Sequence, residues 1–172
     1  MIVWLASYPK SGNTLLRSII STYFFSENGV FNFDLLKNIS QFPDLAYFKK
    51  LNINLSDSSS ILKNYINAQK IINKGNRTIQ FLKTHNAFCK IDGHNFTDLK
   101  NTLGVIYVVR DPRNVVISQT HHFSLSIEDS VSGILNNQRY LLDRNVKTFL
   151  GSWNFNLNSW KQFNKKFLLL RY

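Results

Sequence analysis

IVWLASYPKSGNTLLRSII, residues 2–20, sets a short apolar run, a polar loop and an amphipathic segment in immediate succession. IVWLAS has the unbroken apolar character of a strand buried on both faces of a sheet. After the loop, Leu15, Leu16, Ile19, Ile20, Tyr23 and Phe24 recur at helical spacing with Arg17, Ser18 and Ser21 between them, so a helix begins near Asn13. The loop itself, SYPKSGNT at 7–14, half-fits the phosphate-cradling pattern G-x-x-x-x-G-K-[ST]. Ser7 takes the first Gly position, Gly12 the second and Thr14 the closing hydroxyl, but Asn13 stands where the lysine belongs and Lys10 lies upstream of it. Strand, loop and helix in that order form the setting in which backbone N–H groups at a helix start receive an anion.

The rest of the chain repeats the alternation. IQFLK at 79–83 and GVIYVV at 104–109 read as further buried strands, and FLLLR at 167–171 as one more. Asp111-Pro112 supplies an N-cap and a first-turn proline for the helix after the second of these. The serine-rich stretch 56–60 leads a helix carrying Ile61, Leu62, Tyr65, Ile66 and Ile72, closed by Gly75. One or two helices are expected over 126–145 and another over about 151–165, while 26–57, aromatic and without a clean period, reads as short helices and loops. The expectation is an α/β fold of three layers, a P-loop-like central parallel sheet flanked by helices, in one domain over 1–172. Tyr172 follows directly on the last strand, where such sheets normally feed a functional loop, so an incomplete domain is expected.

Composition bounds the partners. With 172 residues, 44% hydrophobic and 14% aromatic, the chain is long and apolar enough to fold. A formal net charge of +11 favours an acidic partner: nucleotide, nucleic acid, anionic glycan or membrane surface. A single cysteine, Cys89, excludes an internal disulfide and a cysteine-based zinc cluster, and reads as a buried small hydrophobe. No apolar run approaches the length of a membrane span, and a cytoplasmic location is expected. His121 and His122 are adjacent on a helix and face different ways, and no third ligand accompanies them, so no metal site is expected. Trp153, Trp160 and the aromatic segment 31–48 read as core or as the wall of a pocket, and Arg113 as solvated.

Ligands of open α/β sheets bind beyond the carboxyl ends of the strands. Three polar clusters fall there: Lys10-Ser11-Gly12-Asn13-Thr14, then Lys83-Thr84-His85, then Arg110 with Ser118 on the next helix. YPKSGNT before an apolar helix, LKTH at 82–85 and VVRDPRNVVIS at 108–118 together resemble the PAPS-dependent sulfotransferase family of cytosolic type. PAPS is 3′-phosphoadenosine 5′-phosphosulfate. GSWNFNLNSW at 151–160 and LLLRY at 168–172 resemble family segments in the expected order.

The resemblance implies transfer of a sulfuryl group from PAPS to a hydroxyl or amine acceptor, without a metal. Ser11, Gly12, Asn13 and Thr14 match the residues that hold the 5′-phosphosulfate, Lys10 the lysine that steadies the departing phosphate, and Lys83 a position able to face the sulfuryl oxygens. His85 matches the general base, a task suited to imidazole because its ordinary pKa lies near neutrality. Arg110 and Ser118 match the 3′-phosphate contacts, and Tyr172 a tyrosine near the adenine. A sulfuryl group carries less negative charge than a phosphoryl group, so lysines and backbone donors can suffice. Two departures stand out: Leu15 replaces an aromatic that stacks on adenine, and the family's Arg-Lys-Gly loop over the 3′-phosphate lies beyond Tyr172.

Two other readings compete. A P-loop kinase or NTPase is opposed by Asn13 at the lysine position and by Asp111, a better N-cap than magnesium ligand. A non-catalytic nucleic-acid binder would cluster basic residues on one face among exposed aromatics, whereas here they are scattered.

Overall fold

The structure, a computed structural model, describes residues 1–75, 78–143 and 146–172. Strand β1 (Ile2–Ser7) feeds helix α1 (Asn13–Phe25), followed by short 3-10 turns at Phe33–Asn38, Leu45–Tyr47 and Lys49–Leu51. Helices α2 (Ser58–Lys63) and α3 (Tyr65–Gly75) lead to β2 (Gln80–Thr84), a small ribbon of β3 (Lys90–Ile91) and β4 (His94–Asn95), and β5 (Thr102–Val109). Then come α4 (Pro112–Phe123), α5 (Ile127–Leu135), the hairpin β6 (Tyr140–Asp143) and β7 (Val146–Phe149), α6 (Trp153–Trp160), a 3-10 turn at Lys161–Lys166 and β8 (Phe167–Arg171). Four strands form the main sheet in the order β2-β1-β5-β8, and every pairing in it is parallel.

The unbroken apolar run of β1 is explained by its central place. Ile2, Trp4 and Ala6 face one layer, with Phe42, Phe48, Tyr65, Phe96 and Trp160; Leu5 faces the other, with Leu16 of α1, Ile39 and Val108. Trp4 anchors the first layer: its ring meets Phe42, Phe96 and Trp160 at 5.7, 5.1 and 6.2 Å, and its indole N–H donates to Thr102 Oγ1 at 3.0 Å. A third cluster, Tyr8, Val115, Val116, Ile134 and Leu150, packs α4 and α5 beneath the loop after β1. On β2, the segment 40–42 runs alongside Lys83, with the Lys83 N–H donating to Ser40 O at 2.9 Å and the Phe42 N–H to Lys83 O at 2.8 Å. No helix among the described residues is long and apolar enough to cross a membrane.

Asp111 caps α4 through the Arg113 N–H, with Pro112 in the first turn, as expected. The helix expected from residue 61 is instead two, broken at Asn64. The expectation of helix over 126–145 holds only for α5; Tyr140–Asp143 pairs antiparallel with Val146–Phe149, and positions 144–145 lie outside the described residues. Apolar Leu141 and Leu142 carry no period of their own, so only partner strand and turn separate the two readings. Asp92-Gly93 joins β3 to β4 with φ of 49 and 80°, a hairpin turn that the sequence reading did not include. Trp160, Phe42 and Phe48 are core, whereas Phe33 is exposed.

Trp4→Ala should lower unfolding stability by ~3–5 kcal/mol, the usual cost of emptying a large aromatic site. Tyr23→Ser, at a side chain that is 80% exposed, should change stability by no more than ~0.5 kcal/mol. Urea denaturation of both variants beside the parent checks the pair.

Candidate active site

Between β1 and α1 the backbone turns on two left-handed residues, Lys10 (φ 69°) and Gly12 (φ 97°). The Ser11 N–H donates to Tyr8 O at 3.3 Å, closing the turn. α1 then starts at Asn13 with no side-chain cap and no acidic residue in its first turn. A helix start of this kind directs backbone N–H groups and positive potential at whatever lies in front of it. Gly12 is required twice over: its φ disfavours any side chain, and a Cβ would lie 2.3 Å from the Tyr172 ring.

Asn13 turns its amide away from the cleft. Its Nδ2 donates to Leu5 O at 2.9 Å and to Ser7 Oγ at 3.2 Å, so its side chain fastens the helix to the strand and only its backbone faces outward. Ser11 is buried, with an Oγ that has no hydrogen-bond partner, and it is absent from the cleft wall. Lys10, Gly12, Asn13, Thr14, Arg110, Ser118 and Tyr172 do line one cleft of about 400 Å³, together with Leu15, Lys83, His85 and His122. The three strand ends therefore meet as expected.

Arg110 pairs with neither Asp111 nor a helix end. Its Nη1 donates to Lys10 O at 3.2 Å and its guanidinium lies 4.9 Å from the centre of the Tyr172 ring. Tyr172, for its part, extends the sheet ladder by donating its N–H to Val109 O at 2.9 Å. Asp111 is taken by Arg113 at 2.5 Å, which holds its carboxyl down at about 2. Arg113 is exposed.

His85 lies just past β2. Its Nδ1 is 2.8 Å from the Ser7 carbonyl oxygen, which can only accept, so Nδ1 carries the proton and the Nε2 lone pair is left for chemistry. Burial, first, and then the positive charge of Lys83, Arg17 and Lys10 push the imidazole pKa down to about 3, against the bond to Ser7 that raises it. The ring is thus neutral at physiological pH. Lys83 donates to the Gln41 side chain and lines the same cleft as His85, as strand alternation required.

Two residues that position or join this site were not assigned to it from sequence, His122 having been weighed only as a metal ligand. Asn156 of α6 donates to His85 O at 3.0 Å and to Leu150 O at 2.8 Å, and accepts from the Tyr107 hydroxyl at 2.9 Å; nothing in NFNLNSW marks which asparagine turns inward. His122 reaches the cleft because it lies one helical turn beyond Ser118 on α4, a spacing that was available in the sequence. Cys89 is half-buried and its thiol is pushed up by burial to about 11. Among the described residues no group of three or more His, Cys, Asp or Glu side chains is arranged to hold a metal ion.

A second cavity, of about 220 Å³, adjoins the first at His85 and has Pro9, Phe123, Leu141 and Leu142 as its own walls. It shares Lys10, Lys83, His85 and His122 with the first. Lys10, Lys83, His85 and His122 are thus the common wall of a cleft that reaches the α1 start and of a smaller cavity to which Pro9, Phe123, Leu141 and Leu142 add apolar surface.

A sequence model described as "Sulfotransferase domain" matches residues 2–172. This chain belongs to the sulfotransferase family. The fold agrees with a crystal structure of mouse sulfotransferase SULT7A1 complexed with PAP: TM-score 0.56, 18% identity, covering 99% of this chain and 50% of that one. Retinol dehydratase in a complex with retinol and PAP also aligns, with TM-score 0.49 and 17% identity, over 98% of this chain and 53% of that one. The chain spans about half the length of these two solved proteins. Comparison with curated protein sequences gives no match.

Because the folded-state pKa of His85 lies below its ordinary value of 6.5, the unfolded chain binds this proton more readily. The stability that rests on a neutral His85 is therefore intact above pH 6.5 and is lost as pH falls toward 3. Urea midpoints at pH 7.5 and pH 5 should differ more for the parent than for His85→Gln; equal differences would contradict a neutral, desolvated His85.

Proposed function

We propose that the chain transfers a sulfuryl group from PAPS to a hydroxyl or amine acceptor, with His85 as general base and no metal. The observation that carries this reading is the shared wall of Lys10, Lys83 and His85 between a donor-side and an acceptor-side cavity. In-line transfer needs its base and its charge-stabilising groups at such a junction.

The residues present fit the donor. The uncapped α1 start and the backbone of Gly12 to Thr14, which line the larger cavity, form a cradle suited to the 5′-phosphosulfate. Arg110 offers a guanidinium fork and Ser118 a hydroxyl for the 3′-phosphate. Tyr172 lines the same cavity, its ring against Arg110, and stands beside them for the adenosine. Ser11, being buried, contributes through its backbone and the shape of the turn. When bound, PAPS supplies an activated sulfuryl group and a phosphate leaving group.

His85 Nε2 removes the acceptor proton as its oxygen or nitrogen attacks. The Ser7 carbonyl fixes the ring through Nδ1–H and favours the imidazolium that forms. Lys10 and Lys83 hold positive charge at the junction, against the negative charge that develops on the leaving and transferring oxygens. Bound donor anion also offsets the cations that depress His85, strengthening the base when it is needed. Pro9, Phe123, Leu141 and Leu142 offer apolar surface to an acceptor on that side.

The test is a transfer assay with labelled PAPS and a panel of phenol, alcohol and amine acceptors. The parent should label at least one acceptor in EDTA. His85→Ala should lose ~10²–10⁴-fold in rate while binding 3′-phosphoadenosine 5′-phosphate (PAP) as the parent does. A near-parental rate for His85→Ala would remove the base assignment.

A further inference from the structure

Four side chains line both cavities, and the sulfotransferase reading gives work to three of them: Lys10, Lys83 and His85. The fourth is His122. Resting on that reading, we propose that His122 is a further catalytic residue, donating a hydrogen bond to the transferring sulfuryl group from α4.

The placement comes from the helix. Ser118 and His122 stand one turn apart on α4, and residues four apart share a face. The face that offers Ser118 to the donor-side cavity therefore carries His122 along the same cavity, to the point where it joins the acceptor side. Phe123, whose ring meets the His122 ring edge-on at 4.7 Å, backs the imidazole and itself walls only the acceptor side. His122 is exposed, and no hydrogen bond to its ring is present among the described residues, so both ring nitrogens are open to a ligand.

The chemistry at that point is negative charge. Lys83 and Lys10 come from β2 and from the turn after β1, so they approach a group at the junction from the sheet. His122 comes instead from α4, so its donor is carried by a helix and not by the sheet. No Asp or Glu lines either cavity among the described residues, which leaves an imidazole N–H at the junction with one kind of partner: an anionic or hydroxyl oxygen of the reactants. PAPS has a sulfuryl group at that location and PAP does not, and this separates a sulfuryl contact from a general affinity for nucleotide.

The experiment compares PAPS and PAP binding by calorimetry, in EDTA, for the parent, His122→Phe and His122→Asn. His122→Phe keeps the ring packing on Phe123 and removes the donor; His122→Asn keeps a donor. The proposal expects PAP to bind all three alike. PAPS should bind His122→Phe about tenfold more weakly than the parent, the loss of one hydrogen bond to a charged group, with His122→Asn between them. Where an acceptor is turned over, kcat should fall with His122→Phe and the acceptor KM should hold. Equal losses for PAPS and PAP, an unchanged PAPS affinity, or a change in acceptor KM alone would each overturn the assignment. Failure of the parent to bind either nucleotide would overturn the donor reading itself, so the two failures are distinct.

Discussion

The amide of Asn13 joins two elements that the chain could otherwise place independently. It donates to the Leu5 carbonyl and the Ser7 hydroxyl from the first residue of α1, holding the helix start against the end of the central strand. With that tie made, the intervening residues must turn back on themselves, and positive φ at Lys10 and Gly12 is how they do so. Ser7, held by Asn13 on its side chain, offers its carbonyl to His85. One buried amide thus ties the start of α1 to the end of β1, next to the Ser7 carbonyl that sets the His85 tautomer. It also explains how the loop tolerates asparagine where a nucleotide triphosphate site has lysine: the position here serves the scaffold.

Charge supplies the second constraint. Lys10, Lys83 and Arg17 all act on His85, and no carboxylate on the cavity walls opposes them among the described residues. Such a cluster is unfavourable when empty and becomes favourable around a polyanion. In the proposed reaction a bound donor would relieve the same cations that hold the imidazole neutral, which would couple donor binding to the basicity of His85. Arg110, joined to the Lys10 carbonyl and to the Tyr172 ring, extends the cluster to the far end of the cleft.

Much of this was legible in the sequence, for identifiable reasons. The sheet strands β1, β2, β5 and β8 are apolar runs ending in polar residues, and β1, β2 and β5 lead to the site residues. The α/β class and the meeting of Lys10, Lys83, His85, Arg110 and Ser118 were therefore legible from the polar residues at the ends of apolar strands and from the motifs they form. The inward turn of Asn13 and the burial of Ser11 could not be read, because a side chain's direction at a tight turn depends on φ values that residue types do not fix. The β6–β7 hairpin was hidden for a related reason: Tyr140, Leu141 and Leu142 are apolar without alternation, and pairing with Val146–Phe149 decides their state. Asn86 and Asn156, which hold the backbone around His85, look like any other asparagine in a chain rich in them.

The central claim is that this cleft recognises a nucleotide by its 3′-phosphate and needs no metal to do so. Calorimetric titration with 3′-phosphoadenosine 5′-phosphate and with ADP, both in EDTA, beside ATP with magnesium, tests it most directly. Binding of the 3′-phosphorylated nucleotide well above the other two is the predicted result. A preference for magnesium-ATP, or equal affinity for ADP and the 3′-phosphorylated nucleotide, would contradict it.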